Sequence, residues 1–167
     1  LIKRNKNLSN DSVPTINVIK DVIQKLKENN LNIEKANVAC IYPCNPLIKI
    51  QDLKKGFNKL KKNNSKFVIA ISELNHSAKK YFVLKKNNKI VANKKKIFLS
   101  THKLSKAYFE NGQFCIAKTQ NWIKSKNVFQ NSIGVKIPSW RVSDIDDIND
   151  WKKAEVIFEI LRKNNEI

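Results

Sequence analysis

Apolar residues in this chain recur with two rhythms. From Pro14 onward Ile16, Ile19, Val22, Ile23 and Leu26 return at three- and four-residue spacing until Asn29-Asn30 stops the run. That spacing puts them on one side of a helix, and Pro14 suits its first turn. ANVACIYP, 36–43, is a short apolar run closed by proline, and KFVIAIS, 66–72, is a second; each predicts a buried strand. Pro43 and Pro46 keep the stretch after the first strand out of regular helix, and a helix is expected from about Ile50 to Leu60. Strand, helix, strand at this spacing predicts a βαβ unit with parallel pairing.

From 73 to 112 the rhythm changes. YFVLKKNNKIVAN reads as a hairpin turning at Asn87-Asn88, since Asn tolerates positive φ, and the whole stretch reads as an arm on the main sheet, irregular up to Asn111-Gly112. QFCIA, 113–117, and IGVKIP, 133–138, predict strands, and TQNWIKSK a short helix capped by Thr119. The last helix is expected from Asp147 to Arg162, with Trp151, Ala154, Ile157, Phe158 and Leu161 on one stripe. The sum is one α/β domain without internal repeats.

Composition narrows the class. The net charge is +19, but of 33 basic residues only Arg4, Arg141 and Arg162 are arginine, and the lysines are scattered. Specific nucleic-acid readers lean on arginine forks, so no nucleic-acid partner is expected. No apolar run is long enough to span a bilayer, so no membrane role is expected either. Cys40, Cys44 and Cys115 form no CxxC pair and no even set; they fit a reducing, cytoplasmic compartment. His76 and His102 stand alone, without ligand spacing. The chain starts at Leu1 and contains no methionine, which reads as a fragment lacking its natural start.

The densest chemistry is SDIDDINDW, 143–151. On an extended backbone Asp144 and Asp146 point to one face and Ile145 to the other, toward the core. Two carboxylates aimed at one point can hold a hard cation beside a phosphate, and the motif is expected at a strand end just before the last helix. Asp147 and Asp150 read as helix-capping acids, and the bland reading extends that role to the whole cluster.

YPCNPL at 42–47, AYFENGQF at 107–114 and SDIDDINDW at 143–151, together with RNKNLSND at 4–11 and Pro14-Thr15, occur in an order and spacing that resemble a known family. It is the family of bacterial cytidylyltransferases that activate nine-carbon α-keto acid (nonulosonic) sugars, which includes pseudaminic acid cytidylyltransferases and CMP-sialic acid synthetases. The resemblance covers nearly the whole chain. It implies a Rossmann-like three-layer fold of the nucleotide-diphospho-sugar transferase type. Residues 1–167 would form the C-terminal part of the domain, missing the first βα units and their phosphate-binding loop, with 73–112 as a protruding dimerisation arm. It implies Mg2+-dependent transfer of CMP from CTP to the sugar's anomeric hydroxyl, pyrophosphate release and a homodimer. The fragment alone is expected to be inactive.

Site residues follow from the same resemblance. Asp144 and Asp146 match the catalytic metal-binding pair. Arg4 would contact the nucleotide and Thr15 would lie near the cytidine. Tyr42 would face the sugar, Asn111, Gly112, Gln113 and Phe114 would form the sugar-pocket loop, and Lys79 would take the sugar carboxylate. Phe109-Glu110-Asn111 departs from the His-Asp-Ala common before GQF in pseudaminate enzymes; the resemblance implies pseudaminic acid first, then legionaminic or N-acetylneuraminic acid. A non-catalytic nucleotide-sugar-binding or oligomerising relative is the alternative.

Overall fold

A computed structural model describes residues 1–74, 82–84, 86, 88–92 and 106–166. Helix α1 spans Thr15–Glu28, strand β1 Asn37–Ile41, helix α2 Ile50–Lys62 and strand β2 Phe67–Glu73. The short strands β3, Phe82–Leu84, and β4, Ile90–Ala92, follow, then β5, Tyr108–Lys118, α3, Thr119–Lys124, β6, Ser132–Lys136, and α4, Ile148–Lys163.

One sheet holds the domain, in the order β1-β5-β2-β6. β5 is antiparallel to both its neighbours, while β2 and β6 are parallel. The expected direct pairing of 36–43 with 66–72 is therefore corrected: β1 and β2 run the same way with β5 between them. Residues 114–117 are wholly buried and need partners on both edges, and a crossover through α2 leaves room for one. β1 is consequently an edge strand among the described residues, and its middle is only half-buried rather than buried as its apolar run predicts.

Alternation along the strands sorts the core into two layers. Phe67, Ile69, Cys115 and Ala117 pack with Ile16 and Ile23 of α1 and Trp122 of α3. Val68, Ala70, Phe114 and Ile116 pack on the opposite face with Leu60 of α2, Val135, Ile137 and Val142. Trp122 stands edge-on to Phe67 with ring centroids 5.2 Å apart and donates its indole N–H to the Val38 carbonyl at 3.1 Å. Helices on both sheet faces make a three-layer mixed α/β domain.

Helix ends use asparagine where glycine is usual. Asn30 and Asn165 have φ of 60° and 53°. Beyond them the Leu31 N–H reaches the Leu26 carbonyl and the Glu166 N–H the Leu161 carbonyl, closing α1 and α4 with Schellman bonds. Thr119 does not cap α3 as expected: it is the helix's first residue, and its hydroxyl donates to the Ile33 carbonyl at 2.7 Å. The expected hairpin is present, with Val83 opposite Val91 and Asn88 at φ 59°. The rest of the 73–112 stretch lies largely outside the described residues. No described helix is long and apolar enough to cross a membrane.

Candidate active site

The central feature is a break in β5. Residues Ala117 to Cys115 pair regularly with β2, then pairing resumes at Glu110 opposite Ile71. Four residues, 111–114, thus face the single residue Ala70, so the backbone bulges. Gly112 carries the bulge at φ +68°, a left-handed conformation natural to glycine. A buried polar chain fixes it. Asn45, in the loop leaving β1, donates Nδ2 to the Asn111 carbonyl at 3.0 Å. Asn111 donates Nδ2 to Ser72 Oγ at 2.9 Å, and Ser72 donates to the Ile137 carbonyl at 2.8 Å. Asn45, Asn111 and Ser72 are each at most 2 % exposed, so every bond in this chain is shielded from water.

Asp144 lies against the bulge. A Cβ on Gly112 would come within 2.8 Å of Asp144 Oδ2 and 3.3 Å of Asn45 Nδ2. The expectation that Asp144 and Asp146 stand at a strand end is corrected. β6 stops at Lys136, Pro138 leads into a 3-10 turn at Ser139–Arg141, and 142–147 is irregular. Ile145 does not enter the core as predicted. Its N–H donates to the Cys44 carbonyl at 3.0 Å, and its half-buried side chain lines an open apolar groove with Leu47, Trp151 and Phe158. Trp151 and Phe158, predicted on the buried stripe of α4, are about half exposed there, whereas Ala154, Ile157 and Leu161 are buried.

The 142–147 segment is bolted to α4. Asp147 caps the helix, accepting from the Asn149 and Asp150 N–H groups at 2.7 and 3.0 Å, while Asp150 accepts from the Asp146 and Asp147 N–H groups at 3.3 Å. These two acids do what the sequence pattern predicts. Ser143 donates to the Asp150 carbonyl at 3.0 Å, and Lys153 Nζ to the Val142 carbonyl at 2.8 Å. Behind the segment Arg141, 4 % exposed, donates to the Leu47 carbonyl at 2.9 Å and pairs with buried Asp52 of α2.

Asp144 and Asp146 are both exposed. Partial desolvation, then the negative charges of Asp146 and Asp150, raise the Asp144 carboxyl above the usual carboxylate range. Glu73, Glu110, Asp144 and Asp150 line one cleft of about 610 Å³ with Lys153. In a chain of net charge +19 this cleft is locally acidic. Among the described residues no group of three or more His, Cys, Asp or Glu side chains is placed to hold a metal.

A second group of expected site residues gathers at the end of β1. Tyr42 donates its hydroxyl to Glu110 Oε1 at 3.4 Å, and its N–H bonds the Gln113 carbonyl at 3.1 Å. The Thr15 hydroxyl at the start of α1 faces the Tyr42 phenol. Burial raises the Tyr42 hydroxyl well above its ordinary value, Thr15 opposes the shift, and Glu110 adds to it. Gln113 is fully buried, and neither end of its side-chain amide has a hydrogen-bond partner. Phe114, by contrast, is buried in the core under α2. Arg4 is exposed and stands apart: its neighbours Lys3 and Asn5 are tied to Lys25 and Asp21, further along α1 from Thr15. Lys79 lies outside the described residues.

Sequence reasoning missed Asn45, Ser72, Glu110 and Lys153. Asn45 had a signal, a polar residue enclosed by two prolines, and so did Ser72, the polar end of an otherwise apolar strand. The other two are charged residues among many.

A mixed α/β domain with the Asp144 carboxylate beside a bulged central strand is compatible with a nucleotidyltransferase-like enzyme. No protein-family model matches the chain. It is 30% identical over 159 residues to the pseudaminic acid cytidylyltransferase of Campylobacter jejuni subsp. jejuni serotype O:2, covering 94% of this chain and 68% of that protein. It is 28% identical, with the same coverage, to the protein of the same name from serotype O:23/36. The chain belongs to the pseudaminic acid cytidylyltransferase family.

Proposed function

We propose that this protein transfers CMP from CTP to the anomeric hydroxyl of pseudaminic acid, a nine-carbon α-keto acid sugar, and releases pyrophosphate. Family membership supports the reaction, and Asp144 against the Gly112 bulge, with Asp146 near enough to act on its charge, supports its location. The sugar hydroxyl is itself the nucleophile: its oxygen bonds the α-phosphorus as the bond to pyrophosphate breaks and the hydroxyl proton departs. The protein's task is therefore placement and charge compensation.

Magnesium is the cofactor proposed for this site. Its donor set is hard oxygen: partial desolvation, then the charges of Asp146 and Asp150, raise Asp144, and a divalent cation completed by phosphate and water would offset both. When bound, Mg2+ would neutralise phosphate charge and orient the reacting oxygens. Gly112 gives the Asp144 carboxylate room, and the Asn45–Asn111–Ser72 chain holds the bulge. Thr15, Tyr42, Asn111, Gly112, Gln113 and Phe114 form or support the substrate walls, Arg4 is assigned to the nucleotide and Lys79 to the sugar carboxylate.

The finer fold reading is a Rossmann-like sheet in which further βα units add to the edge of β1; the half-buried state of that edge supports it. The β3–β4 hairpin is proposed as part of a dimerisation arm, and a cytoplasmic location accompanies the use of CTP. The test is pyrophosphate release by the full-length gene product with CTP, Mg2+ and each of pseudaminic, legionaminic and N-acetylneuraminic acid. Release is expected with pseudaminic acid. A folded protein that turns over none of the three would overturn the reading.

A further inference from the structure

We infer that Glu110 is a substrate-recognition residue whose carboxylate, held by Tyr42, accepts a hydrogen bond from an uncharged O–H or N–H donor on the sugar. The inference rests on the reaction proposed above and adds a residue to its sugar site.

Three elements converge on Glu110. It is the last residue of β5 paired to β2 before the bulge, so the same irregularity that receives Asp144 sets its position. The Tyr42 hydroxyl at the end of β1 donates to its Oε1 at 3.4 Å. Thr15, at the first turn of α1, faces Tyr42 in turn. A line of hydroxyls thus ends on an acceptor. Among the described residues Oε2 has no hydrogen bond, and Glu110 has no ion pair with any lysine or arginine.

The surroundings decide what that oxygen can bind. Cys40 of β1, Cys115 of β5 and Tyr42 lie on its inner side, all uncharged at neutral pH. Glu73, Asp144 and Asp150 line the same cleft as Glu110, with Lys153 as the one basic residue of its described lining. Partial desolvation raises the Glu110 carboxyl, and the Tyr42 hydrogen bond counters part of the rise. A phosphate or sugar carboxylate would be repelled here. A neutral hydroxyl or amide N–H would instead satisfy the open oxygen with a charge-assisted bond.

The experiment is steady-state kinetics of the full-length protein, varying sugar and CTP separately, with thermal melts of every variant. Glu110→Ala should raise KM for the sugar on the order of tenfold or more and leave KM for CTP within about twofold. Glu110→Gln, which keeps the volume and the Tyr42 contact, should give a smaller rise of the same kind. Tyr42→Phe should also raise the sugar KM, and its effect should largely vanish in the Glu110→Ala background because both act through one oxygen. An unchanged sugar KM in both Glu110 variants would overturn the inference. So would equal rises in both KM values with a lowered Tm, which would mark a structural role. If the wild-type protein turns over none of the three sugars, the proposed reaction itself fails and this inference with it. Turnover by wild type with unmoved variants would sink the Glu110 assignment alone.

Discussion

Replacing Gly112 with alanine separates backbone strain from site geometry. At φ +68° an L-residue other than glycine costs about 1–2 kcal/mol. For a chain of this size, 1 kcal/mol lowers Tm by roughly 2–4 °C, so Gly112→Ala should melt about 2–8 °C below wild type. The new Cβ would also stand 2.8 Å from Asp144 Oδ2, a distance real Cβ atoms essentially never show. The Asp144 carboxylate is the end of a short exposed side chain, so it swings away rather than forcing the sheet apart. A displacement near 1 Å at a reacting centre can cost on the order of a hundredfold in rate. Gly112→Asn divides the two effects. Asparagine already takes positive φ at four described positions, Asn30, Asn88, Asn131 and Asn165, so it should recover part of the Tm. It still carries a Cβ and should recover none of the activity. The assays are differential scanning calorimetry and pyrophosphate release at saturating CTP. Wild-type Tm and wild-type turnover in Gly112→Ala would refute both the strain and the contact.

Three further outcomes follow from the same geometry. Arg141→Leu leaves Asp52 buried with only Lys55, 3.4 Å away, and should cost about 3 kcal/mol or more, whereas Arg141→Leu with Asp52→Leu should cost distinctly less; urea melts compare them. Asp147→Ala removes a capping box and should lower stability by about 1 kcal/mol with turnover near wild type, because its carboxylate is engaged by the helix N-terminus rather than the cleft. Burial raises the Cys40 thiol to about 11 and pushes Cys115 and Tyr42 up as well. An acid whose folded value is raised stays protonated while the unfolded chain has already released its proton. Stability should therefore be level below pH 8 and fall as pH rises past the thiol range; a melt series from pH 7 to 10.5 that stays flat would contradict the burial of these groups.

Much of this fold was legible because periodicity reports burial. The helices appear where the 3.6-residue stripes predict them, and Asn30 and Asn165 end α1 and α4 as a chain with three glycines requires. The order of strands was not legible. Nothing in ANVACIYP or KFVIAIS says that QFCIA, some 40 residues later, enters between them, since pairing is non-local. Asp144 and Asp146 were visible as a pattern, but their backbone was misassigned: alternation of polar and apolar residues looks the same in a strand and in an irregular segment bonded to Cys44. Asn111 and Gly112 were visible only by resemblance. Their physical reason, a bulge held by Asn45 and Ser72, depends on residues 27 or more positions away from each other in sequence and becomes evident only in three dimensions.

The central claim is that Asp144 and Asp146 hold the cation that serves CMP transfer. The most direct test is pyrophosphate release by full-length wild-type and Asp146→Ala proteins with CTP, Mg2+ and pseudaminic acid, both verified as folded by thermal melting. The account predicts release by the wild type and loss of nearly all of it in the variant at an unchanged Tm. Equal release by the two proteins would contradict it, and no release by either would favour a non-catalytic relative that keeps the fold without the reaction.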